Sequence, residues 1–126
     1  MRDGRRSRIV VKRAESGSLP SYESLRKSQD FRRVLSNGTR HQEGGVVVVS
    51  ASGLTGPPRL GLVVSRSCGS AVRRNRIKRR LRSAASTVEL KPGTDYVIIA
   101  TSQVADARFE RLASWLADAI ERTSHA

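Results

Sequence analysis

Residues 71–82 read A-V-R-R-N-R-I-K-R-R-L-R, and seven of the ten residues from Arg73 to Arg82 are Arg or Lys. Through this charge runs a regular apolar beat. Ile77, Leu81, Ala84 and Val88 recur at i, i+4, i+7 and i+11, which places them in one narrow arc of a helix. Arg73, Arg76, Lys78, Arg79, Arg80 and Arg82, with Asn75 among them, take the remaining circumference, and Arg74 sits at the edge of the stripe. Like charges spaced i, i+4 destabilise an isolated helix. This one therefore requires a surface under its stripe and an anion over its charges.

The rest of the chain supplies candidates for that surface. Residues 1–18 are Arg-rich, with Gly and Ser and no useful apolar period. They read as a disordered basic N-terminal extension, or as an over-long assignment of the start. Leu19-Pro20 restarts the pattern. A short helix follows to about Ser36, capped by Ser24 or Ser28, with Leu25, Phe31, Val34 and Leu35 inward and Arg26, Lys27, Arg32 and Arg33 outward. Asn37-Gly38 stops it. Residues 39–42 suit a short edge strand. The β-branched run 46–49 is a strand, and 60–65 is another beyond the Gly- and Pro-marked loop 53–58. Two strands joined by a loop suggest an antiparallel hairpin. Ser70 is placed to cap the basic helix. After a turn at 91–94, residues 96–100 form a near-continuous apolar strand of the kind buried on both faces. Strand, helix, strand in that order suggests a crossover with parallel pairing. The last helix, capped by Asp106, turns Phe109, Leu112, Leu116 and Ile120 to the core with Trp115 beside them. The order is α-β-β-β-α-β-α, one domain over 19–122 with a short tail at 123–126.

A net charge of +13 and a pI near 11.5 say much about partners: nucleic acid first, an anionic membrane surface second. No stretch approaches the ~20 apolar residues of a membrane span. Arg5-Arg6-Ser7-Arg8 hints at an export signal, but only Ile9, Val10 and Val11 follow before Lys12 and Arg13. Export is rejected. With Cys68 as the lone cysteine, a cytoplasmic location is expected. No acidic residue falls between Glu43 and Glu89, so the basic surface is read as belonging to the first helix, the end of the expected hairpin and the central helix. His41 and His125 are isolated. No phosphate-loop, C-x-x-C or nucleophile-elbow pattern occurs. Carboxylates such as Asp30, Asp95, Asp106, Glu110 and Asp118 are scattered, whereas a two-metal nuclease needs several converging. The residues point to binding. Arg greatly outnumbers Lys, which suits RNA, because guanidinium forks onto phosphate and stacks on bases.

G-L-V-V-S-R at 61–66 followed by G-S-A-V-R-R-N-R-I-K-R-R-L-R at 69–82 resembles the signature of the bacterial ribonuclease P protein component. The likeness extends to L-R-K-S-Q-D-F-R-R-V-L at 25–35, D-Y-V-I-I-A at 95–100 and F-E-R-L at 109–112. The resemblance implies an α+β two-layer sandwich, ribosomal protein S5 domain 2-like, with a four-stranded mixed sheet. It also implies a left-handed β-α-β crossover, against the usual hand. It implies a subunit that partners a large catalytic RNA, which with its Mg²⁺ cuts precursor tRNA to form the mature 5′ end. The protein itself would need no cofactor and no obligate protein partner. By position, the RNA-binding set is Arg66, Arg73, Arg74, Asn75, Arg76, Lys78, Arg79, Arg80 and Arg82. The cleft for the 5′ leader is Phe31, Arg32, Leu35, Val47 and Val49, with Phe31 alone equally suited to a core role. Leu35 stands where many members carry a second aromatic, and Val49 where some carry a tyrosine. Base stacking contributes ~1–3 kcal/mol per base, so this cleft is expected to grip by shape and charge more than by stacking. The rival readings are a ribosomal or other structural RNA-binding protein, and a protein-only nuclease.

Overall fold

In the computed structural model, which describes residues 22–53 and 55–124, the two apolar runs lie side by side at the middle of one sheet. The extension read at 1–18 lies outside the described residues. The elements are β1 (Glu23–Ser24), α1 (Ser28–Asn37), β2 (Thr39–Glu43), β3 (Val46–Ser52) and β4 (Arg59–Val64). A 3-10 turn (Arg66–Cys68) then leads to α2 (Ala71–Ala85), β5 (Thr94–Ala100), the short α3 (Gln103–Asp106) and α4 (Phe109–Ser124). The strand order is β1-β4-β5-β3-β2. β5 pairs parallel with β4 across the α2 crossover, as expected, and antiparallel with β3.

Several expectations are corrected. The sheet has five strands rather than four. The extra one is β1, parallel to β4, with Glu23 N–H donating to the Pro58 carbonyl and Leu25 N–H to the Leu60 carbonyl, each at 2.9 Å. A strand of two residues has no alternation to read. β3 and β4 do not form a hairpin, because β5 lies between them. With Asp95 to Ile98 and Ala100 buried, it takes the most covered place. The hairpin is β2–β3, turned at Gly44, whose φ of 54° suits glycine. The Trp115 ring lies so close that a Cβ on Gly44 would come within 2.0 Å of it. Neither serine caps α1: Ser24 is in β1 and Ser28 is already helical, with Lys27 at the N-cap making no side-chain cap bond. Asp106 belongs to α3 and does not cap α4. α4 runs to Ser124, into the stretch read as a tail.

Strand alternation sends Val46, Val48, Leu60, Tyr96 and Ile98 to one face, against Ile77, Leu81 and Ala84 of α2 and Leu112, Leu116 and Ile120 of α4. Val88 is buried there too, although α2 ends at Ala85. The opposite face carries α1 alone. Its register lays out three rows across the strands. Gly61, Val97 and Val49 form the middle row, over which α1 lies: Val34 is buried with Val49 and Val97, and the Phe31 ring sits on Gly61, where a Cβ would meet it at 2.4 Å.

Arg59, Asp95 and Ala51 form the row on one flank of α1. Asp95 is only 1% exposed and accepts from Arg59 Nε at 2.9 Å and Arg59 Nη2 at 2.8 Å, and also from Arg33 of α1. Arg33 Nη1 further donates to the Ser52 carbonyl at 2.8 Å. The carboxylate thus ties α1 to β4 and β5. Burial by itself would raise the Asp95 pKa. The hydrogen bonds and charges of Arg59 and Arg33 outweigh it and hold the carboxyl below its ordinary value.

A depressed folded-state pKa contributes stability above the ordinary carboxylate value, about 4, and loses it as pH falls through the folded value. Asp95→Asn should therefore cost about 3 kcal/mol at pH 7, the scale for breaking a buried pair, and flatten the acid limb below about pH 4. Chemical denaturation across pH tests this. Acid limbs of equal steepness in both proteins would remove Asp95 as the source.

Candidate RNA-binding surface

α2 starts at a working cap, with Ser70 Oγ accepting the Arg73 N–H at 3.2 Å. Ile77, Leu81 and Ala84 are fully buried, so the stripe docks as its spacing predicts and sets which side faces outward. The cations around it then divide into two groups.

The first group is committed within the protein. Arg80 Nη1 donates to the carbonyls of Val104 at 2.7 Å and Ala105 at 2.9 Å, and its Nη2 donates to the Ala107 carbonyl. These carbonyls close α3, whose four residues leave them without helical partners. Arg80 is the cap of that helix, supplied from α2. Arg73 Nε donates to the Cys68 carbonyl at 3.0 Å, and its Nη2 reaches the Ser102 carbonyl at 3.4 Å and Asp106 Oδ2 at 3.1 Å. Arg74 Nε donates to the Gly69 carbonyl at 3.3 Å, a longer tether to the turn before the helix.

The second group is available. Arg66, Asn75, Arg76, Arg79 and Arg82 are exposed and Lys78 is half-buried. Among the described residues none of their side chains makes a hydrogen bond or ion pair. Asn75, Arg79 and Arg82, spaced i, i+4, i+7, share one face of α2. Desolvated only in part, such guanidinium groups suit phosphate.

The second surface lies beside α1. Asp30 and Arg33 engage the Arg59 and Asp95 side, which turns Phe31 and Leu35 toward the other flank. There the third row, Val63, Ile99 and Val47, is half-buried and forms an apolar floor. The structure thus brings Phe31, Leu35 and Val47 together. It places Val49 at 0% exposure under α1, away from any ligand, and Arg32 on the solvent side of the helix. Val63 and Ile99 complete the floor and went unread, because only the register shows that they align with Val47.

Among the described residues no three His, Cys, Asp or Glu side chains group as a metal site, and no helix is long and apolar enough to cross a membrane. His41 Nε2 meets Glu43 at 2.8 Å, and Arg122 lies 3.5 Å from the same carboxylate, a tie between β2 and α4.

An α+β sandwich with unpaired arginines on one helix and a half-apolar groove on the adjoining sheet defines an RNA-binding protein. Comparison with known proteins makes the assignment narrower. Residues 19–124 match the family model described as Ribonuclease P. The ribonuclease P protein component of Mycolicibacterium vanbaalenii is 39% identical over 109 residues, covering 82% of this chain and 92% of that protein. That of Beutenbergia cavernae is 42% identical over 92 residues, covering 71% and 77%. The RNase P protein from Thermotoga maritima superposes with a TM-score of 0.70 at 28% identity, covering 79% of this chain and 96% of that one. That of Staphylococcus aureus gives 0.66 at 25% identity, covering 80% and 94%. The chain belongs to the ribonuclease P protein family, the protein component of the endoribonuclease that processes tRNA, which partners an RNA subunit.

Arg80 and Arg76 should behave differently. Arg80→Gln should lower the thermal midpoint by several degrees, at ~4–8 °C per kcal/mol, and leave the salt dependence of RNA binding unchanged. Arg76→Gln should leave the midpoint unchanged and reduce the slope of log K against log salt by about one. Equal slope losses for both variants would place Arg80 on phosphate instead.

Proposed function

We propose that the protein holds precursor tRNA by its 5′ leader in the groove beside α1, while the outer face of α2 binds the catalytic RNA. The observation that carries this is the separation of two surfaces of different chemistry. Arg76, Arg79 and Arg82 present charge with no internal partner. Val63, Ile99 and Val47 present an apolar floor beside Phe31 and Leu35. A folded RNA displays mainly phosphate, which suits the first. A single strand also displays unstacked bases, which suit the second.

In this reading the protein positions substrate and the RNA performs hydrolysis. Its scattered carboxylates do not fit a Mg²⁺ site, so the Mg²⁺ of the reaction is assigned to the RNA subunit. The working assembly is one of RNA and this chain in the cytoplasm, without an obligate second protein. As a structural RNA-binding protein it would lack any preference for leader-bearing substrate, and as a protein-only nuclease it would cut precursor tRNA without the RNA.

Equilibrium binding with the reconstituted holoenzyme, well below the melting range, tests the leader assignment. Phe31→Ala should weaken leader-bearing precursor by about 5- to 100-fold, the scale of one lost base contact, and leave mature tRNA unchanged. Equal losses for both would return Phe31 to a core role. A wild-type holoenzyme that bound both RNAs equally would refute the leader reading.

A further inference from the structure

β1 places one residue that the function so far does not use. Tyr22 immediately precedes the strand, and the Glu23 and Leu25 amides hold the backbone after it to the β4 edge. Its ring is half-buried against the larger core. Burial raises its phenol pKa, and the nearby Arg82 charge partly offsets that. Next to it a cavity of about 360 Å³ opens between the β1–β4 edge, α1 and α2.

The lining of this cavity is selective. It joins Tyr22 and Phe31 with Arg26, Lys78 and Arg82, and includes no carboxylate. Two of the chain's five aromatic rings therefore meet three cations in one place. The other three rings are engaged elsewhere: Tyr96 is fully buried, Trp115 packs on the β2–β3 turn, and Phe109 packs on the larger core. The volume falls within the ~300–1,000 Å³ of small-ligand sites. Gly61 keeps its wall open, since a Cβ there would strike the Phe31 ring at 2.4 Å. A flat ring for a base and cations for the flanking phosphates, with no acid to repel them, is the chemistry that holds a nucleotide of single-stranded RNA.

We infer that Tyr22 is the stacking platform for one nucleotide of the 5′ leader, with Lys78 and Arg82 on its phosphates. The inference rests on the leader reading above and extends it past Phe31 to the β4 edge, where the leader meets α2. Phe31 is shared by the groove and this cavity, so one strand passes from the apolar floor to the Tyr22 ring. Lys78 and Arg82 then belong to the substrate path as well as to the basic helix.

The test uses the holoenzyme and precursors carrying a single abasic nucleotide at successive leader positions. Tyr22→Leu keeps an apolar side chain against the core and removes the ring. It should weaken leader-bearing precursor by about 5- to 100-fold, as expected for one base stack. Mature tRNA and catalytic-RNA affinities should not move. Tyr22→Phe should stay near wild type, since the ring and not the hydroxyl is the platform. At one leader position the abasic site should cost the wild type the same factor and cost Tyr22→Leu nothing more. Wild-type affinity in Tyr22→Leu, with the preference for leader intact, would overturn this inference alone. A penalty at no abasic position that depends on Tyr22 would overturn it too, as would loss of catalytic-RNA affinity along with leader affinity, which would give the nucleotide to that RNA. Absence of leader preference in the wild type would instead defeat the underlying reading.

Discussion

The structure depends on β5 being covered on both faces. A strand in that position must have a neighbour on each side and a layer above and below. β3 and β4 supply the neighbours. Since β4 runs parallel to β5, the chain must cross over between them, and the crossover is α2. The basic helix is thus held by the element that most needs cover. Its narrow stripe is sufficient because Ile77, Leu81 and Ala84 all meet the sheet's larger core.

That arrangement also sorts the charges. A helix with seven cations in ten residues would repel itself in isolation. Here three of them find acceptors inside the fold: Arg80 on the carbonyls at the end of α3, Arg73 on Cys68, Ser102 and Asp106, and Arg74 on Gly69. Arg80 and Arg73 draw α2 against the α3 segment, and the side chains of Arg76, Lys78, Arg79 and Arg82 stay unpaired among the described residues. What looks in the sequence like one uniform basic run is therefore two sets of side chains interleaved along a helix. One fixes the helix on the body of the protein, and the other is left unpaired among the described residues.

On the opposite face a single short helix divides the sheet. The Asp95 cluster fastens α1 along one flank, which leaves the other flank as an open groove over Val63, Ile99 and Val47. The groove is a consequence of α1 covering only the middle row. β1 then extends the same face by one strand and brings Tyr22 to the gap between α1 and α2. The apolar side of α1 and the basic helix meet there, around the cavity lined by Tyr22, Phe31, Lys78 and Arg82.

The sequence alone determined the elements whose signal is local. The stripe of α2, its Ser70 cap, the apolar runs of β3 and β5 and the parallel β4–β5 pairing were legible from periodicity and order. So was the family, from motifs running in the right succession, and so was Phe31 beside Leu35. Only the tertiary structure decided that β5 separates β3 from β4, because strand neighbours are set by which strand needs most burial and not by chain order. It alone showed Val49 covered and Val63 and Ile99 aligned with Val47, since register is a relation between strands. It alone separated Arg80 from Arg79, adjacent and chemically identical. One donates to three backbone carbonyls at the end of α3, and the other is exposed.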